Sequence, residues 1–184
     1  MGGSAVLELF GANTECADMM IVETPRLRLR ELAVEDADFV FRLVNEPSFL
    51  SNIGDKGVRN LDDARQFILE GSWTRQERHG YGQFLVELKE RGVPIGICGL
   101  LYRESLDVTD VGFALLPDYW KRGFAYEAAD AMLQYGHSTL GIDKIVGLTS
   151  EENLASISVL QKLGMNFERI VKMSADDPGT VLYS

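Results

Sequence analysis

Leu115-Leu116-Pro117-Asp118-Tyr119-Trp120-Lys121-Arg122-Gly123-Phe124-Ala125-Tyr126-Glu127-Ala128 is where a strand pattern stops and a helix pattern starts. Upstream, Val111, Phe113 and Leu115 alternate as they do on a β-strand. Pro117 closes that run, and a helix is expected from about Gly123 to Leu140. A helix that begins straight after a strand and a short loop leaves its first N–H groups without partners, and the helix dipole adds positive potential there. Both favour a bound phosphate. Lys121 and Arg122 bring full positive charge to the same place, and Gly123 lets the backbone approach a ligand with no Cβ between them. The same string, with Ala125, Ala128, Ala129 and Ala131, equally describes a helix packed closely on a sheet. Neither G-x-G-x-x-G nor G-x-x-x-x-G-K-[ST] occurs, so the dinucleotide and P-loop readings lose their main support.

Working outward, the runs at 83–88, 94–101 and 108–115 read as strands joined by short connections, which makes an antiparallel meander. Val108 is out of phase with Val111, Phe113 and Leu115, and one extra residue near Thr109–Asp110, a β-bulge, would explain it. Arg26–Glu31 alternates with Leu27 and Leu29 on one face and Arg26, Arg28 and Arg30 on the other, a half-solvated strand. Phe39, Val40 and Leu43 fall at helical spacing within Glu35–Asn45, and Pro47 is expected to end that helix. Asn60 is a good N-cap for a second helix carrying Ala64, Phe67 and Ile68, and Ser51–Arg59 between the two is a Gly-containing loop. Beyond the central helix come a strand at Lys144–Thr149, a helix at Asn153–Leu163 closed by Gly164, and strands near Phe167–Met173 and Thr180–Tyr183. The sum is an α+β (mixed α/β) single domain over 20–184: a central, twisted, mostly antiparallel sheet of about six to seven strands flanked by about four helices. Residues 1–19 show no sustained period and are expected to be a poorly ordered extension, native or vector-derived.

Of 184 residues, 46% are hydrophobic and 25% charged, an ordinary globular balance for one core. No run of about 18 apolar residues occurs and the first residues lack the cations of a signal peptide, so the expected location is the cytoplasm, with no membrane. A net charge of −10 argues against nucleic acid, whose phosphates recruit clustered Lys and Arg. It suits a cationic partner and equally suits plain solubility. Cys16 and Cys98 make no redox or ligand spacing, and with two histidines no metal site is expected. Cys98 reads as a small buried hydrophobe.

The segment Tyr119–Ala128 resembles the acetyl-CoA signature of the GNAT N-acetyltransferase superfamily. It is most similar to the ribosomal-protein N-terminal acetyltransferase (RimJ/RimL-like) branch, whose string is W-G-K/R-G-Y/F-A-x-E-A. Trp120, Arg122, Gly123, Phe124, Ala125, Glu127 and Ala128 match, and Lys121 departs from the usual glycine. Asn153–Met165 resembles N-x-x-S-x-x-V-L-E-K-L-G-F, and Thr24–Arg30 resembles the opening T-x-R-L-x-L-R. The likeness thus covers roughly residues 22 to 173. It implies a GNAT-like domain whose sheet splays between the strands at 108–116 and 144–149. It also implies acetyl-CoA as co-substrate, held by Leu115, Leu116, Trp120, Lys121, Arg122, Gly123, Phe124, Ala125, Tyr126, Asn153 and Ser156. In this set the backbone of Leu115 and Leu116 pairs with pantetheine and Asn153 contacts the pantetheine arm. Asn153 also reads as a plain helix cap.

Acetylating an amine with a thioester requires a held CoA, a neutral amine, a donor for the oxyanion and a proton for the leaving thiolate. Many GNAT enzymes protonate the thiolate with a helix tyrosine; that position here is Leu160. Ser156, one turn earlier, is the nearest hydroxyl expected beside the sulfur, although a helix serine can also simply bond back to its own backbone. Asp110 is the best single acid for a base, with Glu104, Asp107 and Glu127 behind it. An α-amine of pKa 7.7–8.0 costs only about 1 kcal/mol to neutralise at pH 7, against about 4.6 kcal/mol for a lysine or polyamine nitrogen. With no His or Tyr base in view, a protein N-terminus is the favoured acceptor. A polyamine or aminoglycoside is the rival acceptor. A non-catalytic CoA-binding module and a simple nucleotide-phosphate binder are the alternatives from other classes. The acceptor pocket is expected at Ser51–Arg59 and Trp73–Tyr81, and a homodimer is compatible with the sequence.

Overall fold

Leu27 and Leu29 are fully buried while Arg28 between them is exposed, so this segment lies with one face on the core, as its alternation requires. A computed structural model of the chain describes residues 20–73, 79–173 and 178–184. The expected extension at 1–19 lies outside the described residues, as do 74–78 of the Trp73–Tyr81 loop. The strands are β1 (Met20–Glu23), β2 (Leu27–Arg30), β3 (Gln83–Leu88), β4 (Val93–Arg103), β5 (Val108–Leu115), β6 (Ile145–Thr149), β7 (Phe167–Val171) and β8 (Thr180–Tyr183). They form one sheet in the order β1-β2-β3-β4-β5-β6-β8-β7. Every neighbouring pair is antiparallel except β5 and β6.

That parallel pair is short. Only Thr109 with Ile145 and Asp110 with Val146 are partners, so the two strands part beyond Asp110 and leave the splay that the family resemblance implied. The helices are α1 (Ala37–Val44), α2 (Pro47–Asn52), α3 (Leu61–Ile68), α4 (Phe124–Ser138) and α5 (Leu154–Lys162). α4 covers one face, setting Phe124, Ala128, Ala129 and Met132 against Leu27, Phe84, Cys98, Leu100, Val111 and Leu115. α1 and α3 cover the other, packing Val40, Leu43, Ala64 and Ile68 against Leu85, Ile97 and Leu116.

Two expectations are corrected. Pro47 does not simply end the first helix: it opens α2 at the first helical position, where its missing N–H costs nothing. There is no bulge at Thr109–Asp110, because β4 and β5 pair without a shift from Gly96–Leu115 to Arg103–Val108. Val108 is out of phase because it packs on the opposite face, against a separate cluster of Val146, Val171 and Leu182. A sheet covered on both faces has no reason to alternate polar and apolar residues. The end caps follow expectation: Asn60 accepts the Asp63 N–H at 2.9 Å, and Gly164 follows α5 in the left-handed conformation, with φ +86°.

Candidate functional site

The turn between β5 and α4 carries the positive end of the site. Pro117–Tyr119 makes one 3-10 turn, Lys121 and Gly123 both adopt positive φ (58° and 79°), and α4 begins at Phe124 with no side chain capping it. After Trp120 N–H, which donates to Pro117 O at 3.1 Å, the next amide with a backbone acceptor is Glu127 N–H, which donates to Gly123 O at 3.0 Å. Those of Lys121 through Tyr126 have no acceptor among the described residues. Successive amides on a left-handed turn, facing a helix start, form an anion-binding concavity. Lys121 takes the strained conformation that the family string reserves for glycine, so its backbone does what a glycine would and its ammonium is added.

The signature residues hold this turn in shape. Trp120 Nε1 donates to Leu115 O at 2.7 Å, locking the end of β5 to the turn. Glu127, in the first turn of α4, receives the Thr24 hydroxyl at 2.6 Å, the Arg26 N–H at 2.9 Å and Arg26 Nε at 2.6 Å. Burial acts to raise the Glu127 pKa; the Thr24 hydroxyl, the Arg26 N–H and the Arg26 guanidinium more than offset it and hold the carboxyl below its ordinary 4.5. The Thr24–Arg26 and Tyr119–Ala128 segments, far apart in sequence, are therefore one unit. Glu127 is an anchor here.

Beside the turn lies the splay. Leu116 N–H donates to Ile95 O at 2.9 Å, so even-numbered residues of β5 bond to β4. The main-chain groups of Phe113 and Leu115 then point toward β6, past the last paired positions, into the open gap. Leu116 N–H is consumed by the sheet and Leu115 O by Trp120, which leaves Leu115 N–H and both groups of Phe113, a residue the sequence reading did not select.

The far wall is α5. Asn153 Oδ1 accepts the Ser156 N–H at 3.1 Å, so it does cap the helix. Ser156 is half-buried, and its hydroxyl makes no back-bond among the described residues, unlike Ser138, whose Oγ donates to Gln134 O at 2.6 Å. Leu160, standing where many relatives carry tyrosine, is buried against Gly147 of β6. A Cβ on Gly147 would lie 2.3 Å from Leu160 Cδ2, so the glycine is what lets α5 approach the strand.

Asp110 sits where β5 and β6 separate. It is buried and held by Arg103, Nε to Oδ1 at 2.5 Å and Nη2 to Oδ2 at 3.2 Å. Asp107 instead receives the Tyr102 hydroxyl at the β4–β5 turn. Arg103 also lines a cavity of about 400 Å³ shared with Glu70, His79, Tyr81, Tyr102 and Glu104. Tyr81, at the end of one expected acceptor loop, is in hydrogen-bond contact with Thr109 at 2.6 Å between hydroxyls. The other expected loop, Ser51–Arg59, does not line this cavity, and its first residues belong to α2. Burial pushes the Cys98 thiol up to about 12, which fits an inert core residue. Among the described residues no group of three or more His, Cys, Asp or Glu could hold a metal ion, and no helix is long and apolar enough to cross a membrane.

Comparison with known proteins agrees with this geometry. Residues 26–166 match the acetyltransferase (GNAT) domain model. The chain is 32% identical over 180 residues to the FsC-acetyl coenzyme A-N(2)-transacetylase of Aspergillus fumigatus, covering 89% of this chain and 74% of that one. It is 27% identical over 162 residues to the N-acetyltransferase YoaA of Bacillus subtilis, covering 87% and 90%. Among solved structures, the RimL ribosomal L7/L12 alpha-N-protein acetyltransferase bound to coenzyme A superposes with a TM-score of 0.76 at 16% identity, over 89% and 96% of the two chains. The chain belongs to the GNAT acetyltransferase family.

Proposed function

We propose that this acetyltransferase takes its acetyl group from acetyl-CoA and passes it directly to a primary amine, with the α-amine of a protein N-terminus as the favoured acceptor. The observation that carries the proposal is the run of unpartnered amides at Lys121–Tyr126, opening beside the gap between β5 and β6. These residues fit a pyrophosphate: a run of amides without acceptors opens the helix, Gly123 carries no side chain there, and Lys121 and Arg122 supply charge. Phe113 and Leu115 offer main-chain groups to the pantetheine amides, as a sheet offers them to an added strand. Trp120 holds that turn through Leu115 O, Phe124, Ala125 and Tyr126 are the first residues of α4 beside it, and Asn153 caps α5.

For the chemistry, Ser156 is the hydroxyl available to hand a proton to the departing thiolate. Asp110 keeps both oxygens engaged by Arg103, which suits it to stabilising a proton relayed through water better than to direct abstraction. An α-amine, neutral at a cost of about 1 kcal/mol at pH 7, needs no more than that. The CoA-bound RimL enzyme, whose name specifies an α-N-protein acceptor, shares the fold. A small polyamine or aminoglycoside is the second reading, favoured by the cavity with Glu70 and Glu104 in its wall.

Isothermal titration with acetyl-CoA, CoA and 3′,5′-ADP, on wild type and on Gly123→Trp, tests the donor site. Binding that needs the pantetheine arm and disappears in Gly123→Trp is the expected result. Folded protein that binds none of the three would sink the proposal; binding without turnover on peptide and polyamine acceptors would leave a non-catalytic CoA module.

A further inference from the structure

Arg26 lies outside the signature segment, on the turn into β2, yet its guanidinium reaches the anion-binding turn. Nε is committed to Glu127 at 2.6 Å and Nη1 to Arg122 O at 3.0 Å. The plane rests on Phe124, 4.5 Å from the ring centroid. Three contacts of different kinds thus fix the fork. Nη2 has no acceptor among the described residues, and it stands 3.3 Å from the point where a Cβ on Gly123 would sit. Nη2 thus lies beside Gly123, within the run Lys121–Tyr126 whose amides have no acceptor among the described residues.

We infer that Arg26 is a direct ligand of the CoA pyrophosphate, its Nη2 donating to a phosphoryl oxygen held over Gly123. The inference rests on the acetyl-CoA reading of the same site. Two features support a ligand role beyond that of a brace. A brace to Glu127 and Arg122 uses only Nε and Nη1, leaving Nη2 uncommitted beside Gly123. The side chain is also pre-ordered and about half-exposed (48%), so donating to an incoming oxygen costs little further conformational entropy. Glu127 does not compete with the phosphate, because its oxygens are already taken by Thr24, the Arg26 N–H and Nε. The arginine of the opening T-x-R-L string thereby gains a chemical reason.

The test is titration of acetyl-CoA and 3′-dephospho-CoA into wild type, Arg26→Met, Arg26→Lys and Glu127→Gln, at low and high salt, with unfolding temperatures measured alongside. A charge-assisted hydrogen bond predicts that Arg26→Met weakens both ligands by the same factor, about tenfold or more at low salt. The factor shrinks at high salt, where the lost charge matters less. Arg26→Lys, which keeps the charge and loses the fork, falls between wild type and Arg26→Met and serves if the methionine variant does not fold. Glu127→Gln, which loosens the brace and spares the ligand, weakens binding less than Arg26→Met. Wild-type affinity in a folded Arg26→Met would overturn the inference while leaving the acetyl-CoA reading intact. So would a loss confined to acetyl-CoA, which would assign Arg26 to the 3′-phosphate, or a salt-independent loss equal in Arg26→Met and Glu127→Gln. Wild type that binds neither ligand would overturn both readings together.

Discussion

Adding one methyl group to β6 at Gly147 tests how α5 is positioned. The new Cβ would lie 2.3, 2.7 and 3.0 Å from Cδ2, Cδ1 and Cγ of Leu160, and Leu160 is only 1% exposed, so it has nowhere to turn. Overpacking of this kind costs about 1–3 kcal/mol. For a chain of this size each kcal/mol lowers Tm by about 2–4 °C, so Gly147→Ala should melt roughly 2–12 °C early. Leu160→Ala alone should cost about 2–5 kcal/mol through its cavity. In the double variant all three clashing carbons are gone and one methyl returns to the hole, recovering about 0.8 kcal/mol by burial. The coupling between the two sites is then favourable by roughly 2 kcal/mol or more, beyond the experimental scatter of such cycles. Thermal and urea unfolding of the four proteins measure it. Additive costs, or a Gly147→Ala protein as stable as wild type, would show that Gly147 does not set the α5–β6 distance. The same geometry predicts that Leu160→Tyr, restoring the family's common tyrosine, destabilises the fold and gives no gain in turnover.

Three further outcomes follow from the site. Trp120→Phe removes the 2.7 Å bond to Leu115 O and should cost about 1 kcal/mol, with acetyl-CoA binding weakened a few-fold in titration, whereas unchanged affinity would separate Trp120 from the donor site. Arg103→Met strips the buried Asp110 of its guanidinium and should cost about 3 kcal/mol in urea unfolding, against nearly nothing for exposed Arg65→Met, and equal costs would refute the assigned burial. The Glu127 carboxyl is held below 4.5 in the fold, so its contribution to stability is complete above that pH and is lost as pH falls through the lower folded value. Unfolding free energy measured across that acid window should therefore fall less steeply for Glu127→Gln than for wild type; parallel curves would contradict the anchoring role.

What the sequence could show depended on whether the deciding physics was local. The amide run at Lys121–Tyr126, the Asn60 and Asn153 caps and the strand–turn–helix punctuation all arise from neighbouring residues, and all were legible. The phase of Val108 was misleading because its partners, Val146, Val171 and Leu182, come from strands that sequence periodicity does not see. Pro47 carried two meanings, stop and start, and only the packing of Phe49 against the α1–α3 layer selects the second. The tie from Thr24 and Arg26 to Glu127 spans about a hundred residues, and the Leu116-to-Ile95 bond that turns the main-chain groups of Phe113 toward the gap depends on sheet register. The T-x-R-L opening was the available signal for the first of these, but it carried no hint of its partner.

The most direct test of the proposed chemistry is mass spectrometry of a short peptide bearing a free α-amine and one internal lysine, incubated with the protein and acetyl-CoA while released CoA thiol is titrated. The expected product carries a single acetyl group on the α-amine, with one thiol released per acetyl transferred and the lysine untouched. Acetylation of the lysine alone, or no transfer to any amine by protein that demonstrably binds acetyl-CoA, would contradict it.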